Sequence, residues 1–154
     1  MAGELMDLTD DQQVLAGTIW GESRGEPEKG REAVAAVVMN RVAIAKRHMS
    51  QTGKPHPLFG DGTVRSACLM PYQFSCWNDG DPNRAKILAL DFAHPDPLLN
   101  DCLAVAARAI AGILTDWTHG ATHYKEASLS WPHGWGPECT PLAEIGHHAF
   151  YQIA

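Results

Sequence analysis

The chain has 154 residues, of which 45% are hydrophobic and 19% are charged. This length and composition are typical of one folded domain and argue against a disordered chain. The formal net charge of −6 argues against the basic surface of a nucleic-acid-binding protein, so we expect no nucleic-acid partner. We predict one domain over residues 1–154, acting as a monomer.

The first predicted helix begins at Thr9, which opens the Thr-Asp-Asp-Gln pattern of a capping box. Apolar residues at helical spacing continue the helix through Ile19. Gly25 and Pro27 then interrupt it. We therefore expect Glu22 in the last turn of this helix or just beyond its end.

A second helix is predicted to begin near Pro27, because proline is favoured in the first turn of a helix. One face of this helix is apolar except for a single arginine, and we expect it to be buried. The residues of that face are Ala33, Val34, Val37, Val38, Arg41 and Val42.

From Met49 to Asp81 the chain is rich in Gly, Pro, Ser and Asn, and we predict an irregular segment with at most one short helix near residues 63–70. Two further helices are predicted, a short one from Pro82 and a longer one from Pro95 or Pro97. The segments 121–127 and 145–153 are short, aromatic and roughly alternating. They are expected to pair as a small antiparallel hairpin, so the predicted fold class is α+β and mainly helical.

The four cysteines, Cys68, Cys76, Cys102 and Cys139, match no zinc-binding spacing. Four buried thiols and two disulfides both remain open. No apolar run reaches the roughly 18 residues of a membrane-spanning helix, and the first ten residues lack the pattern of a signal peptide. We expect no membrane span, and synthesis in the cytoplasm either without an export signal or with that signal removed.

Two carboxylates four residues apart, Glu22 and Glu26, flank Arg24. The simplest interpretation is a pair of exposed acids near basic residues. Glu22 differs because it falls at the carbonyl end of a helix beside Trp20, where the helix dipole disfavours a negative charge. A carboxylic acid kept neutral in this way is suited to general acid catalysis. Glu26 is expected to act as a cap or to pair with Arg24.

The segment PYQFSCWN, residues 71–78, alternates aromatic and hydrogen-bonding side chains. The flat faces of Tyr72, Phe74 and Trp77 suit the apolar face of a sugar ring, and the polar residues between them suit its hydroxyls. The alternative is that these aromatics fill the core. We expect the segment to form a surface wall.

Histidines are concentrated near the C-terminus, at His119, His123, His133, His147 and His148. Two or three of them in contact would form a metal site. However, no HExxH motif occurs, and His147 and His148 would point to opposite faces of a strand. We therefore expect no metal and no other cofactor.

Four segments resemble the SleB-type cell wall hydrolase family, which includes spore-cortex lytic enzymes and many bacterial and phage enzymes. They are residues 20–42 (WGESRGEPEKGREAVAAVVMNRV), QFS at 73–75, GATHYKE at 120–126 and IGHHAFY at 145–151. The resemblance implies a lysozyme-like fold and cleavage of the glycan strands of peptidoglycan. It implies that Glu22 is the catalytic acid. The residues predicted to bind substrate are Gln73, Phe74, Ser75, Trp77, His123 and Tyr124.

The resemblance implies that Glu22 protonates the glycosidic oxygen between N-acetylmuramic acid and N-acetylglucosamine. No strong second carboxylate is visible, although Asp79, Asp81 and Glu126 remain candidates. A lytic transglycosylase, in which the 6-hydroxyl of the muramic acid attacks, is therefore favoured over a muramidase that uses water. The alternatives from other classes are a metal-dependent amidase that uses the C-terminal histidines and a non-catalytic wall-binding module.

The chain departs from the spore enzymes because it contains no peptidoglycan-binding repeat, and its cysteines lie outside the family's core motif. This favours a proteobacterial, phage or phage-derived enzyme over spore-cortex specificity. The enzyme is expected to act at the cell wall or in the periplasm, with delivery by a phage or a phage-like particle as one route.

Overall fold

The computed structural model describes residues 10–153. These residues form five α-helices, two short 3₁₀ helices and three β-strands. The α-helices are α1 (Asp11–Ser23), α2 (Glu28–Thr52), α3 (Val64–Leu69), α4 (Pro82–Leu88) and α5 (Pro97–Ile110). The 3₁₀ helices are Ser75–Trp77 and His133–Trp135, and the strands are β1 (His123–Glu126), β2 (Ala143–Ile145) and β3 (His148–Tyr151). The expected mainly helical α+β class is confirmed.

Helix α1 is capped by Asp10, whose side chain accepts hydrogen bonds from the backbone N–H groups of Gln12 and Gln13. The predicted cap at Thr9 lies outside the described residues. The helix ends at Ser23, so Glu22 lies in its last turn as predicted. A Cβ atom added at Gly21 would lie 2.7 Å from the Cβ of Cys76, so this glycine lets the segment 75–77 pack directly against the end of α1.

Helix α2 begins after Pro27 and ends at Thr52, where Gly53 adopts a left-handed conformation with φ of 71°. It is longer than the sequence predicts, because it continues past Met49 into the segment expected to be irregular. The predicted apolar face is buried along its whole length, including Arg41. This face packs against α1 and α5 on one side and against the small sheet on the other.

The segment 71–78 differs from the predicted surface wall. Phe74 is 1% exposed and Trp77 is 8% exposed, and both belong to the main hydrophobic core with Cys76. The indole N–H of Trp77 donates to the hydroxyl of Thr18 at 2.9 Å, which satisfies its polar atom inside the core. The short helices around this segment leave space beside α1, and these aromatic rings fill it.

The C-terminal sheet has the strand order β1-β3-β2, and both pairs are antiparallel. The predicted pairing of the two C-terminal segments is confirmed, with Tyr124 opposite Phe150. The third strand, β2, was not predicted. Ile145 and Phe150 pack against Ala33 and Val37 of α2, which fixes the sheet on the helical layer.

All four cysteines are free thiols, and only Cys139 is exposed. Burial raises the pKa of the Cys68 thiol to about 12, so this thiol stays protonated near neutral pH. Within residues 10–153, no helix is both long and apolar enough to cross a membrane.

Candidate active site

A cleft of about 480 Å³ lies between the end of α1, the segment after α3 and the start of β1. Five of the seven residues predicted from the sequence line it: Glu22, Gln73, Ser75, His123 and Tyr124. The cleft thus brings together residues from three distant parts of the chain. The remaining lining residues are Arg41, Leu58, Tyr72, Gly134 and Trp135. Of these, the sequence had indicated only Tyr72, as a ring suited to the face of a sugar.

Glu22 is held by hydrogen bonds to both of its carboxylate oxygens. The Tyr124 hydroxyl donates to Oε1 at 2.5 Å, and the backbone N–H of Cys76 donates to Oε2 at 3.0 Å. The Ser75 hydroxyl lies 3.4 Å from the same Oε2. Donors from β1 and from the 3₁₀ helix therefore fix the carboxylate in the cleft before any ligand binds.

Tyr124 is a permanent donor to Glu22. Burial is the main cause that raises the pKa of its phenol well above the usual value, and the charge of Glu22 raises it further. Its ring packs against His148 at 4.9 Å and Phe150 at 5.6 Å between centroids. The phenol therefore stays protonated across the physiological range, and its ring is packed against two other aromatic rings.

Arg41 brings a buried positive charge to the cleft. Burial lowers the pKa of its guanidinium to about 10, against the opposing influence of Tyr124, Cys68 and Glu22, so it remains charged near neutral pH. Its Nε donates to the carbonyl of Thr122 at 2.7 Å, and its Nη1 donates to Oε1 of Gln73 at 3.3 Å. Arg41 therefore orients Gln73. In the sequence, Arg41 was already distinguished as the one charged residue in the apolar face of α2.

His123 forms part of the wall as a neutral ring. Burial, and secondarily the charge of Arg41, lowers the pKa of His123 to about 4. Its Nδ1 lies 2.9 Å from the hydroxyl of Thr122, and its ring meets the edge of Trp135 at 5.0 Å. Trp135 comes from the excursion between β1 and β2, and sequence reasoning missed it because nothing local distinguishes it from the neighbouring Trp131.

Phe74 and Trp77 do not line this cleft, which corrects two of the predicted substrate contacts. Phe74 lies beneath Arg41, with the guanidinium 4.8 Å from the ring centroid. Trp77 borders a neighbouring pocket together with Tyr72 and Asn78. The physical reason is burial, since both rings are needed in the core beside α1.

Glu26 faces away from the cleft and binds the turn between β2 and β3. Its Oε1 accepts from the backbone N–H of His147 at 2.7 Å, and its Oε2 lies 2.6 Å from Nδ1 of that residue. Burial by itself raises the pKa of Glu26, but the hydrogen bonds from His147 and the charges of both neighbouring histidines lower it overall. Glu26 therefore has a structural partner, as expected, but that partner is His147 and not Arg24.

Arg24, the partner expected for Glu26, instead lies over the ring of Trp20, with 4.2 Å to the ring centroid. Its Nη2 donates to the side-chain oxygen of Asn83 at 2.8 Å. Arg24 thus joins the end of α1 to α4.

Glu22 is the only acidic residue among the described residues that line the cleft. The three other candidates for a second carboxylate are engaged elsewhere. Asp79 pairs with Arg84 at 3.3 Å, Asp81 caps α4 through the N–H of Asn83, and Glu126 accepts from the hydroxyl of Ser128.

The C-terminal histidines do not converge. Within the described part of the chain, no group of three His, Cys, Asp or Glu side chains is placed to hold a metal ion. His123 contacts Thr122, whereas His147 contacts Glu26. The amidase hypothesis therefore has no ligand set in residues 10–153.

The fold and the cleft together define a mainly helical α+β domain whose first helix presents one carboxylate to a groove with aromatic walls. The sequence model of the Cell Wall Hydrolase family matches residues 25–151. The chain therefore belongs to this family. The match begins three residues after Glu22, so it does not include that residue.

Two solved structures have the same fold. The catalytic domain of the Bacillus cereus SleB protein is 27% identical with a TM-score of 0.61, covering 91% of this chain and 88% of that domain. The catalytic domain of the germination-specific lytic transglycosylase SleB from Bacillus anthracis is 26% identical with a TM-score of 0.61, covering 92% and 93%. The resemblance expected from the motifs is confirmed.

Curated relatives are longer proteins. The spore cortex-lytic enzyme of Oceanobacillus iheyensis is 37% identical over 87 residues, which are 53% of this chain and 27% of that enzyme. The spore cortex-lytic enzyme of Halalkalibacterium halodurans is 29% identical over 143 residues, which are 92% of this chain and 34% of that enzyme. The chain thus spans about a third or less of the length of these relatives.

Proposed function

We propose that this protein cleaves the glycan strands of peptidoglycan, with Glu22 as the group that donates and accepts the proton. One observation carries the proposal: Glu22 is the sole acid of the described cleft lining, and both of its oxygens are fixed by donors. Membership of the Cell Wall Hydrolase family supports the substrate class.

In the first step, Glu22 gives its proton to the glycosidic oxygen between N-acetylmuramic acid and N-acetylglucosamine. The bond between C1 of the N-acetylmuramic acid and that oxygen breaks, and this C1 takes on oxocarbenium character. The carboxylate left on Glu22 is stabilised by the Tyr124 hydroxyl and the Cys76 N–H, which are already aimed at its two oxygens.

In the second step, the 6-hydroxyl of the same muramic acid attacks C1, and Glu22 takes up the hydroxyl proton. The product is a 1,6-anhydro sugar, and Glu22 returns to its starting protonation state. This lytic transglycosylase route needs only one carboxylate, whereas most glycosidases use two. The single acid in the cleft therefore favours it over a muramidase.

Binding is assigned to the polar and neutral groups of the same cleft. Gln73 and Ser75 supply hydrogen-bonding atoms for sugar hydroxyls or N-acetyl groups, and Gln73 is oriented by Arg41. His123 supplies an uncharged ring to the wall. Expectations of a monomer without cofactor, and of delivery to the wall by a phage or a phage-like particle, stay predictions.

The test is mass spectrometry of purified peptidoglycan digested with the protein. Muramic acid ends that are lighter by one water, the anhydro form, are expected. Ordinary reducing ends on muramic acid would instead establish a muramidase. Intact glycan strands with cut peptide stems, or no soluble products, would show that the proposed glycan cleavage is wrong.

A further inference from the structure

Tyr72 is the most exposed of the large apolar side chains in the described residues, at 85%. It lines the cleft together with Glu22, and it also borders the neighbouring pocket lined by Asn78 and Arg84. Tyr72 thus lies where the two pockets meet. The position is therefore suited to contact with an extended polymer.

The backbone of Tyr72 is in the left-handed region, with φ of 65°. Residues with a Cβ atom disfavour this conformation, which glycine adopts without penalty. Because the ring is exposed, burial offers little to offset the strain. Strained residues of this kind cluster where a binding or catalytic site requires them.

Trp135 offers an aromatic ring elsewhere on the same cleft, and its surroundings hold it in place. Its ring meets Trp131 at 5.3 Å, Tyr151 at 5.9 Å and His123 at 5.0 Å. The indole N–H of Trp131 donates to the carbonyl of Gly136 at 2.9 Å, which closes the short loop around Trp135. The cleft that holds Glu22 is therefore lined by one packed aromatic ring, Trp135, and one exposed aromatic ring, Tyr72.

We propose that Tyr72 is a sugar-binding residue whose ring stacks on the apolar face of a pyranose of the glycan strand, next to Glu22. A pyranose presents C–H groups on its faces and hydroxyls at its rim. The ring of Tyr72 matches the face, while Gln73 and Ser75 in the same segment match the rim.

The test uses four variants. Tyr72→Gly removes both the ring and the strain, Tyr72→Ala removes the ring alone, and Tyr72→Phe keeps the ring face without the hydroxyl. His119→Gly is the matched control, because His119 is the other non-glycine residue with positive φ in the described residues, at 58°, and it is exposed and does not line the cleft.

Both glycine variants should raise the melting temperature by about 2 °C, because glycine relieves the strain in each. Tyr72→Gly and Tyr72→Ala should bind peptidoglycan about fivefold to tenfold more weakly. Tyr72→Phe should recover most of the binding, and His119→Gly should bind as the wild type does.

This inference rests on the proposed function, so binding is measured apart from turnover. Sedimentation with insoluble peptidoglycan is carried out in proteins that also carry Glu22→Gln, and release of soluble fragments is measured in proteins with Glu22 intact. If the assignment of Glu22 is wrong, the proteins that carry Glu22→Gln still release soluble fragments, whereas an error in the stacking role alone shows only in the binding of the Tyr72 variants. Unchanged binding by Tyr72→Gly, or an equal loss in Tyr72→Phe, would overturn the stacking role.

Discussion

Glu22 and Glu26 lie one helical turn apart in sequence distance, yet their surroundings are opposite. Glu22 lies in the last turn of α1 and faces an open cleft, where its partners are the Tyr124 hydroxyl and the Cys76 N–H. Glu26 is 8% exposed and faces the sheet, where its partner is His147 on the turn between β2 and β3.

Hydrogen bonding alone does not distinguish the proposed catalytic carboxylate from the structural one, because both glutamates accept hydrogen bonds on both oxygens or from a neighbouring histidine. What distinguishes Glu22 is access: it lines a cleft large enough for a sugar. Glu26 instead binds the turn at Gly146 and His147 and holds it against the start of α2. Gly146 lies so close to the Glu26 carboxylate that a side chain there would collide with it. Substitution by Gln should therefore mainly lower activity at Glu22 and mainly lower stability at Glu26.

The largest effect is expected from Glu22→Gln. Loss of the proton donor should lower the rate of fragment release by about 10²–10⁴-fold. The melting temperature should stay close to that of the wild type, because the oxygen of Gln still accepts from the Cys76 N–H and its amide group can donate to the Tyr124 hydroxyl oxygen. Fragment release from purified peptidoglycan and a thermal melt provide the two measurements, and retained activity would contradict the role of Glu22.

Glu26→Gln should have the reverse effect. The neutral amide loses the charge that His147 pairs with and turns an N–H toward other donors, which we expect to cost about 3 kcal/mol. This corresponds to a fall of about 6–12 °C in melting temperature. The rate below the melting range should stay within about threefold of wild type, and a loss as large as that of Glu22→Gln would show that Glu26 is also needed for chemistry.

Gly146→Ala is expected to disturb the same contact from the other side. Gly146 has φ of 59°, and an added Cβ would lie 2.7 Å from Oε1 of Glu26. Strain and crowding together should destabilise the fold by about 2 kcal/mol. Gly25→Ala is the matched control in the neighbouring turn, because an added Cβ there meets nothing within 4 Å. Thermal melts of both should show a loss at Gly146 only, and equal losses would contradict the described contact.

The smallest effect concerns pH. Glu26 raises the pKa of His147 above its ordinary value of 6.5, and that contribution to stability is full below pH 6.5 and is lost as the pH rises through the raised pKa. The pKa of Glu26 is lowered from 4.5, so its contribution is present above pH 4.5 and is lost as the pH falls through the lowered pKa. The pair therefore stabilises most between these two values.

His147→Ala removes the ring and keeps the backbone N–H that binds Glu26. The melting temperature of the wild type minus that of the variant should be largest between pH 4.5 and 6.5 and should shrink at higher pH. The shift should be small, because the His147 side chain is 79% exposed. A difference that grows toward alkaline pH would contradict the pairing.

Short-range sequence patterns were sufficient for the starts of the helices after α1 and for the location of Glu22, whereas the end of α2 beyond Met49 was not predicted. Gly25 and Pro27 end α1 within a few residues of Glu22, and Pro82 and Pro97 mark the starts of α4 and α5. These signals act through local backbone geometry, which the sequence carries directly. The pairing of β1 with β3 was also predictable, because both segments are short and rich in aromatic residues.

Burial of the segment 71–78 was not predictable from its composition. Tyr72, Phe74 and Trp77 are all aromatic and lie within six residues, yet only Tyr72 stays exposed. Which ring enters the core depends on the space left beside α1, and a local pattern holds no information about that space. Of the substrate contacts predicted from this segment, Gln73 and Ser75 line the cleft, whereas Phe74 and Trp77 do not.

The sequence by itself therefore determined the family, the helical class and the position of Glu22 at the end of a helix, because these follow from motifs and from signals that act over a few residues. The tertiary structure decided the partners of the two glutamates. Tyr124 lies 102 residues from Glu22 and His147 lies 121 residues from Glu26. Contacts over such separations exist only once the sheet has packed on α2, and that packing makes one glutamate accessible to a ligand and buries the other.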